Sequence, residues 1–210
     1  MKIYLASDSP RRKELLTQII GSKFSVIKHV HTEDDVKELA PESLAVHHAR
    51  SKAVSAAKKI KNGIIIAADT IVVLNEKTVL GKPKNSKEAV KMLKKISGEF
   101  VQVITGVAVI KNPKSQALNT KQISNSKSQA PNGKIATFAE TSVVKITKLS
   151  EKEIKAYVRT KEPLDKAGAF GIQGKGAVIV EWMMGDYFNV VGLPLFKLAQ
   201  LLNMFGVKTL

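Results

Sequence analysis

Residues 63–74 read GIIIAADTIVVL, and the fold turns on them. A run of β-branched and small apolar residues bounded by Asn62-Gly63 and Asn75-Glu76 is the pattern of a buried strand. Its centre is nevertheless polar, Asp69 followed by Thr70. An unpaired carboxylate withdrawn from water costs several kcal/mol, on the order of a whole domain's margin of stability. Asp69 must therefore face a cation, a metal or a cleft. A structural ion pair, a metal ligand and a base that activates water are the three roles open to it.

Upstream, PESLAVHHARSKAVSAAKKI (41–60) predicts a helix started by Pro41 and filled with alanine. Leu44, His48, Lys52, Ala56 and Ile60 repeat every fourth residue beside Ala45, Ala49 and Ala53, so Lys52 lies on the apolar face. A lysine there either runs along the edge to reach water or meets an anion. At the N-terminus, KIYLAS (2–7) is a short strand. Ser9 is a helix cap, Pro10 the first helical position, and the helix ends at Gly21. Ser7, Arg11 and Arg12 sit where strand passes to helix. Free N–H groups, the helix dipole and two guanidinium forks suit a phosphate there, although arginines on an ordinary helix surface give the same letters. FSVIKHV (24–30) reads as a second strand.

Downstream, GKP presents Lys82 from a turn fixed by Gly81 and Pro83. NSKEAVKMLKKI (85–96) predicts a third helix, and FVQVITGVAVI with KIATFAETSVVKIT predicts a strand pair. SEKEIKAYVRT starts a helix with a capping box from Ser150 to Glu153. Between the paired strands, residues 111–134 hold five lysines and no acid among Ser, Asn, Gln and Pro, and predict a basic low-complexity surface loop. Alternating strands and helices make the class α/β. In EPLDKAGAFGIQGKGA (162–177) closely spaced glycines point to backbone approaching something closely, with Lys166 and Gln173 as side chains able to reach a ligand. It is not a dinucleotide fingerprint, since the glycine spacing after a strand is wrong. Glu33, in HTEDDV, offers a second carboxylate for a metal beside Asp69.

The 210 residues carry a formal charge of +16, which predicts attraction to polyanions, and no cysteine, which excludes disulfides and thiolate metal sites. Nucleic acid is one such polyanion, but 5% aromatic residues with one tryptophan offer few stacking platforms. No apolar run is long enough to span a membrane, and none has the form of a secretory signal, so the expected setting is the cytoplasm.

LASDSPRRKELL, AADTIVV, GKP, ISG with TGV, EPLDKAGAFGIQGKGA and GDYFNVVGLPL together resemble, in order, the Maf family of nucleotide pyrophosphatases. The resemblance implies one Maf-like domain over 1–210 made of two lobes, with an elongated twisted mixed sheet flanked by helices and a deep central cleft, similar to inosine triphosphate pyrophosphatases. It implies a cytoplasmic homodimer that splits a nucleoside triphosphate into monophosphate and pyrophosphate with a divalent metal, Mg²⁺ or Mn²⁺. Residue by residue it makes Ser7, Arg11, Arg12, Lys52, Lys82 and Lys166 the phosphate-binding set and Asp69 the proton acceptor. Arg12, Thr70 and Gln173 become the determinants of nucleotide preference. ADT with KAGAFGIQG resembles the branch acting on dTTP and UTP. The alternatives are a pyrophosphatase for 7-methyl-GTP or another modified nucleotide, and a non-catalytic nucleic-acid-binding division regulator. Phe100 stands where the family often has histidine.

Overall fold

The structure, a computed structural model, describes residues 1–28, 39–112 and 135–209. Glu33 and residues 113–134 lie outside them. Strands β1 (Ile3–Leu5), β2 (Ser25–Val26), β3 (Gly63–Leu74), β4 (Thr78–Leu80), β5 (Phe100–Asn112), β6 (Ile135–Ile146) and β7 (Val180–Met184) form one sheet. Its order is β2-β1-β3-β5-β6-β7, with β4 also on β3. The β1 pairings with β2 and β3 are parallel and the others antiparallel, so the sheet is mixed. Helices α1 (Pro10–Ile20), α2 (Pro41–Ala57), α3 (Ser86–Ile96), α4 (Glu151–Arg159), α5 (Tyr187–Val191) and α6 (Leu195–Met204) flank it.

Two sequence expectations change. Of the strand expected over 24–30, the described residues form only Ser25–Val26, both exposed at the sheet's edge, and residues 29 and 30 lie outside them. Lys111 and Asn112, expected in the basic loop, instead pair with Ile64 and Gly63 of β3; the rest of that expected loop, 113–134, lies outside the described residues. Asn112 is buried, and its Nδ2 donates to the Ala57 carbonyl at 3.1 Å, which satisfies an acceptor left over at the end of α2.

β5 runs along one whole edge of β3, from Gly63 to Leu74. The other edge is shared. β1 covers Ile64–Ile66 and β4 covers Val72–Leu74, which among the described residues leaves 67–71 without a strand neighbour on that side. Asp69 and Thr70 occupy that gap.

Alternation along β3 sorts the core. Ile65, Ala67, Ile71 and Val73 face α2, whose Ala45, Ala49, Ala53 and Ala56 are fully buried against the sheet. The helix sits close because residue 106 has no side chain: a Cβ on Gly106, the partner of Asp69, would lie 2.2 Å from the Ala45 carbonyl carbon. On the opposite face Ile64, Ile66 and Ala68 pack with α1 and α6, and Val72 and Leu74 pack with α3 and α4. The apolar packing is thus interrupted on both faces at one place, the rungs of Asp69 with Gly106 and Thr70 with Thr105.

Candidate active site

Both ends of the gap deliver a residue assigned to phosphate. The Ala6 amide donates to the Ile66 carbonyl at 2.8 Å, and the parallel register carries Ser7 on to the level of Ala68. From the other end β4 pairs Leu80 with Val72, so the chain leaves it toward Thr70 with Gly81 and exposed Lys82. Gly168, at φ +65° and with Val72 side-chain atoms 3.0 Å from its would-be Cβ, donates its N–H to the Gly81 carbonyl at 3.0 Å. A side chain at 168 would have to displace Val72 in a backbone conformation that disfavours it. The glycine-rich segment is thereby held beside the Lys82 turn.

Asp69 points to the α2 side and makes a buried ion pair with Lys52. Helix side chains lean toward the N-terminus, so Lys52 reaches back along α2 toward the rung that Gly106 keeps close. The structural role weighed for Asp69 and the anion partner weighed for Lys52 prove to be one interaction. Lys52 does not run out to water.

Arg12 lies on the other face of β3. Ser9 caps α1, its Oγ accepting from the Arg12 amide, and Pro10 opens the helix. The Arg12 guanidinium donates through Nε to the Gly192 carbonyl at 2.8 Å, through Nη1 to the Ala68 carbonyl at 2.8 Å, and through Nη2 to Thr70 Oγ1 at 2.9 Å. Nη1 also reaches buried Ser7 Oγ at 3.3 Å. The two arginines at the mouth of the first helix therefore divide their work. Arg12 satisfies backbone acceptors in the gap, and Arg11 donates to Asp165 at 2.8 Å. Lys166 meets the same Asp165 carboxylate at 2.8 Å and the Glu162 carbonyl at 2.7 Å. Burial acts to raise the Asp165 carboxyl, but Lys166 and Arg11 outweigh it and hold it below the usual carboxylate range.

Gln173 is half-buried in the segment 162–179, which forms three short 3₁₀ turns, Glu162–Asp165, Ala167–Ala169 and Gly174–Ile179. Glu162 clamps it, accepting from the Lys175 amide at 2.9 Å, the Gly176 amide at 3.0 Å and the Tyr157 hydroxyl at 3.0 Å. Burial acts to raise the Glu162 carboxyl, and these donors together with Lys166 bring it below its ordinary value. Burial, with the Glu162 charge, raises the Tyr157 hydroxyl in turn.

The structure thus splits the set. Ser7, Arg12 and Thr70 touch on one face of β3, Lys52 and Asp69 pair on the other, and Arg11 and Lys166 share Asp165 across the gap's rim. Among the described residues no group of three or more His, Cys, Asp or Glu could hold a metal ion. The proposed second ligand, Glu33, lies outside those residues.

A family model described as Maf-like protein matches residues 2–205. The chain belongs to the Maf family. Among its relatives, a dTTP/UTP pyrophosphatase of Methanosarcina barkeri is 47% identical over 207 residues, covering 99% of this chain and 95% of that one. A dTTP/UTP pyrophosphatase of Carboxydothermus hydrogenoformans is 44% identical over 206 residues, covering 98% and 100%. A more distant similarity, to the solved Staphylococcus aureus Ham1 protein, has a TM-score of 0.44 at 16% identity and covers 86% of this chain and 80% of that one.

In this Maf chain several site residues carried no role from sequence alone: Thr105, Gly106, Glu162, Asp165 and Asn189. Thr105 had a usable signal, since a hydroxyl inside VITGVAVI poses the same desolvation question as Asp69 does in its own strand. Gly106 had none, because only the packed helix shows why a side chain is excluded. Phe100, at the family's histidine position, is exposed at the far end of β5, edge-on to Trp182 at 6.1 Å and under Lys145 Nζ at 4.5 Å.

Proposed function

We propose that this Maf protein hydrolyses dTTP and UTP to the monophosphate and pyrophosphate. The observation that carries the proposal is the gap in the β3 edge. There buried Asp69, paired with Lys52 of α2, and the Arg12 guanidinium at the start of α1 meet one short stretch of strand whose neighbours lead on to Ser7 and to Lys82, in a chain 47% identical to a dTTP/UTP pyrophosphatase. The triphosphate lies along the gap, with Ser7, Arg11, Lys82 and Lys166 meeting its oxygens and Lys52 supplying charge from beneath. Asp69 accepts the proton of a water that attacks the α-phosphorus, the bond from that phosphorus to the bridging oxygen breaks, and pyrophosphate departs. Phosphoryl transfer needs positioning and charge neutralisation above all, which suits a site with many cations and few acids.

A divalent metal, Mg²⁺ or Mn²⁺, would supply charge to offset that which develops as pyrophosphate leaves. Asp69, together with Glu33 outside the described residues, would be the carboxylates that hold it. Arg12, Thr70 and Gln173 select the base. The resemblance to the family extends the proposal to a homodimer in the cytoplasm.

The test is pyrophosphate release by purified protein with Mg²⁺ or Mn²⁺ from dTTP, UTP, CTP, 7-methyl-GTP and ITP. Turnover led by dTTP and UTP is the expected result. Turnover confined to 7-methyl-GTP, or none beside strongly salt-dependent nucleic-acid binding, would replace the proposal with one of its alternatives.

A further inference from the structure

The polar rung next to Asp69 has a direction. Thr105 is fully buried, and its hydroxyl lies 3.1 Å from the Asn189 backbone carbonyl and 2.9 Å from Thr70 Oγ1. A carbonyl can only accept, and a hydroxyl has one proton, so the Thr105 proton goes to Asn189. Thr70 must then donate its own proton to Thr105. Arg12 Nη2, which can only donate, fills one Thr70 lone pair at 2.9 Å. Each hydrogen runs one way, from Arg12 to Thr70 to Thr105 to Asn189.

The far end is anchored as firmly. Asn189 is fully buried, and its Nδ2 donates to the Val103 carbonyl and to Ser142 Oγ, both at 2.9 Å. Ser142 donates onward to the Asp186 carbonyl at 3.0 Å. The acceptor that takes the Thr105 proton is therefore held from β5 and β6 and cannot turn away without breaking those bonds. Thr70, half-buried in the gap, is left with one lone pair and no proton to offer.

We infer that Thr105 is a positioning residue which makes the Thr70 hydroxyl an obligatory acceptor, so that the base subsite takes a ring N–H. This rests on the pyrimidine-triphosphatase reading proposed above and adds to it the donor sense of the base. Uracil and thymine carry N3–H, whereas N3 of cytosine is an acceptor and would face the Thr70 oxygen lone pair to lone pair. Preference for dTTP and UTP over CTP thus originates two residues away from the base, in a side chain that no ligand touches.

The experiment measures kcat and KM for UTP and CTP in the wild type, Thr105→Val and Thr105→Ser. Valine keeps the shape and removes the hydroxyl, which frees the Thr70 proton to turn toward a cytosine N3. The UTP-to-CTP ratio of kcat/KM is expected to fall by about fivefold or more in Thr105→Val, the scale of one mismatched buried hydrogen bond, and to be retained in Thr105→Ser. A ratio unchanged in folded Thr105→Val, with both substrates slowed equally, overturns the inference and leaves a structural role alone. Wild-type protein supplies a second measurement that needs no variant. 3-Deazauridine triphosphate, with C–H in place of N3–H, should be a poorer substrate than UTP by a similar factor, and equal turnover of the two overturns the inference. Failure of the wild type on both dTTP and UTP overturns the proposed function along with it, whereas robust UTP turnover without these differences overturns the inference only.

Discussion

On one face of β3, Asp69 meets Lys52 beneath a helix of alanines; on the other, one residue along, Thr70 meets Arg12, Thr105 and, through Thr105, Asn189. Both regions are polar interruptions of an apolar core at the same height on the sheet, but their physics differs. The α2 face holds two formal charges paired with little water, so removing either one breaks a buried ion pair. The α1 face holds one guanidinium whose donors are shared among three carbonyl and hydroxyl groups plus Ser7, with loss graded bond by bond. The charged face is suited to moving a proton, and the hydrogen-bonded face to holding a shape.

Replacing Asp69 tests the contrast most severely. Asp69→Asn should lower pyrophosphate release by roughly a thousandfold, the scale of a lost general base. It should also lower stability by about 3 kcal/mol, because the buried ion pair with Lys52 is broken. Urea unfolding separates the two effects: Lys52→Met combined with Asp69→Leu should recover stability without recovering turnover. An Asp69→Asn enzyme at full rate would remove the carboxylate from the chemistry.

Gly106→Ala comes next. Its Cβ would lie 2.2 Å from backbone of Ala45, so α2 must lift from the sheet at the Asp69 rung, at about 3 kcal/mol of overpacking. Thermal melting reads the loss, and activity should fall with it as Lys52 is carried away from Asp69. On the opposite face Arg12→Lys keeps the charge but cannot reach Gly192, Ala68 and Thr70 together. A loss of roughly 2 kcal/mol in stability is expected, from unsatisfied buried acceptors rather than from an unpaired charge. Unchanged stability in Arg12→Lys would mean that the charge alone matters there, and the contrast between the faces would disappear.

The smallest effect belongs to half-buried Glu162. Glu162 lies below its ordinary 4.5 because its donors outweigh burial, so the folded state favours its ionised form. That contribution is present above about pH 4.5 and is lost as pH falls through the lower folded value. In urea midpoints measured across pH, wild type should exceed Glu162→Gln at neutral pH, with the gap closing below pH 4.5. A constant gap would mean that the charge of Glu162 plays no part in clamping the Gln173 segment.

Much of this was legible in the chain. The helix beginning at Pro41, the capped helix after Ser9, the capping box at Ser150 and the long strand through Asp69 follow from local pattern, and each is present in the structure. That Asp69 needs a partner follows from desolvation, and that Lys52 faces inward follows from helical spacing. Their pairing does not follow from either, since nothing in a one-dimensional pattern says which buried cation lies over which buried anion. The direction of hydrogen bonding at Thr70 was equally hidden. It depends on Asn189, distant in sequence, presenting a carbonyl where Thr105 needs an acceptor.

Local propensity and periodicity, acting over a few residues, determined by themselves where strands and helices form and which polar groups could not be left alone. Tertiary structure decided which faces those groups took, how β1 and β4 leave the edge of β3 open at Asp69 and Thr70, and which donor met which acceptor. The physical reason is range. Backbone preference is set between neighbours along the chain, whereas desolvated charges and hydroxyls are satisfied by whatever the packed sheet brings within 3 Å or so.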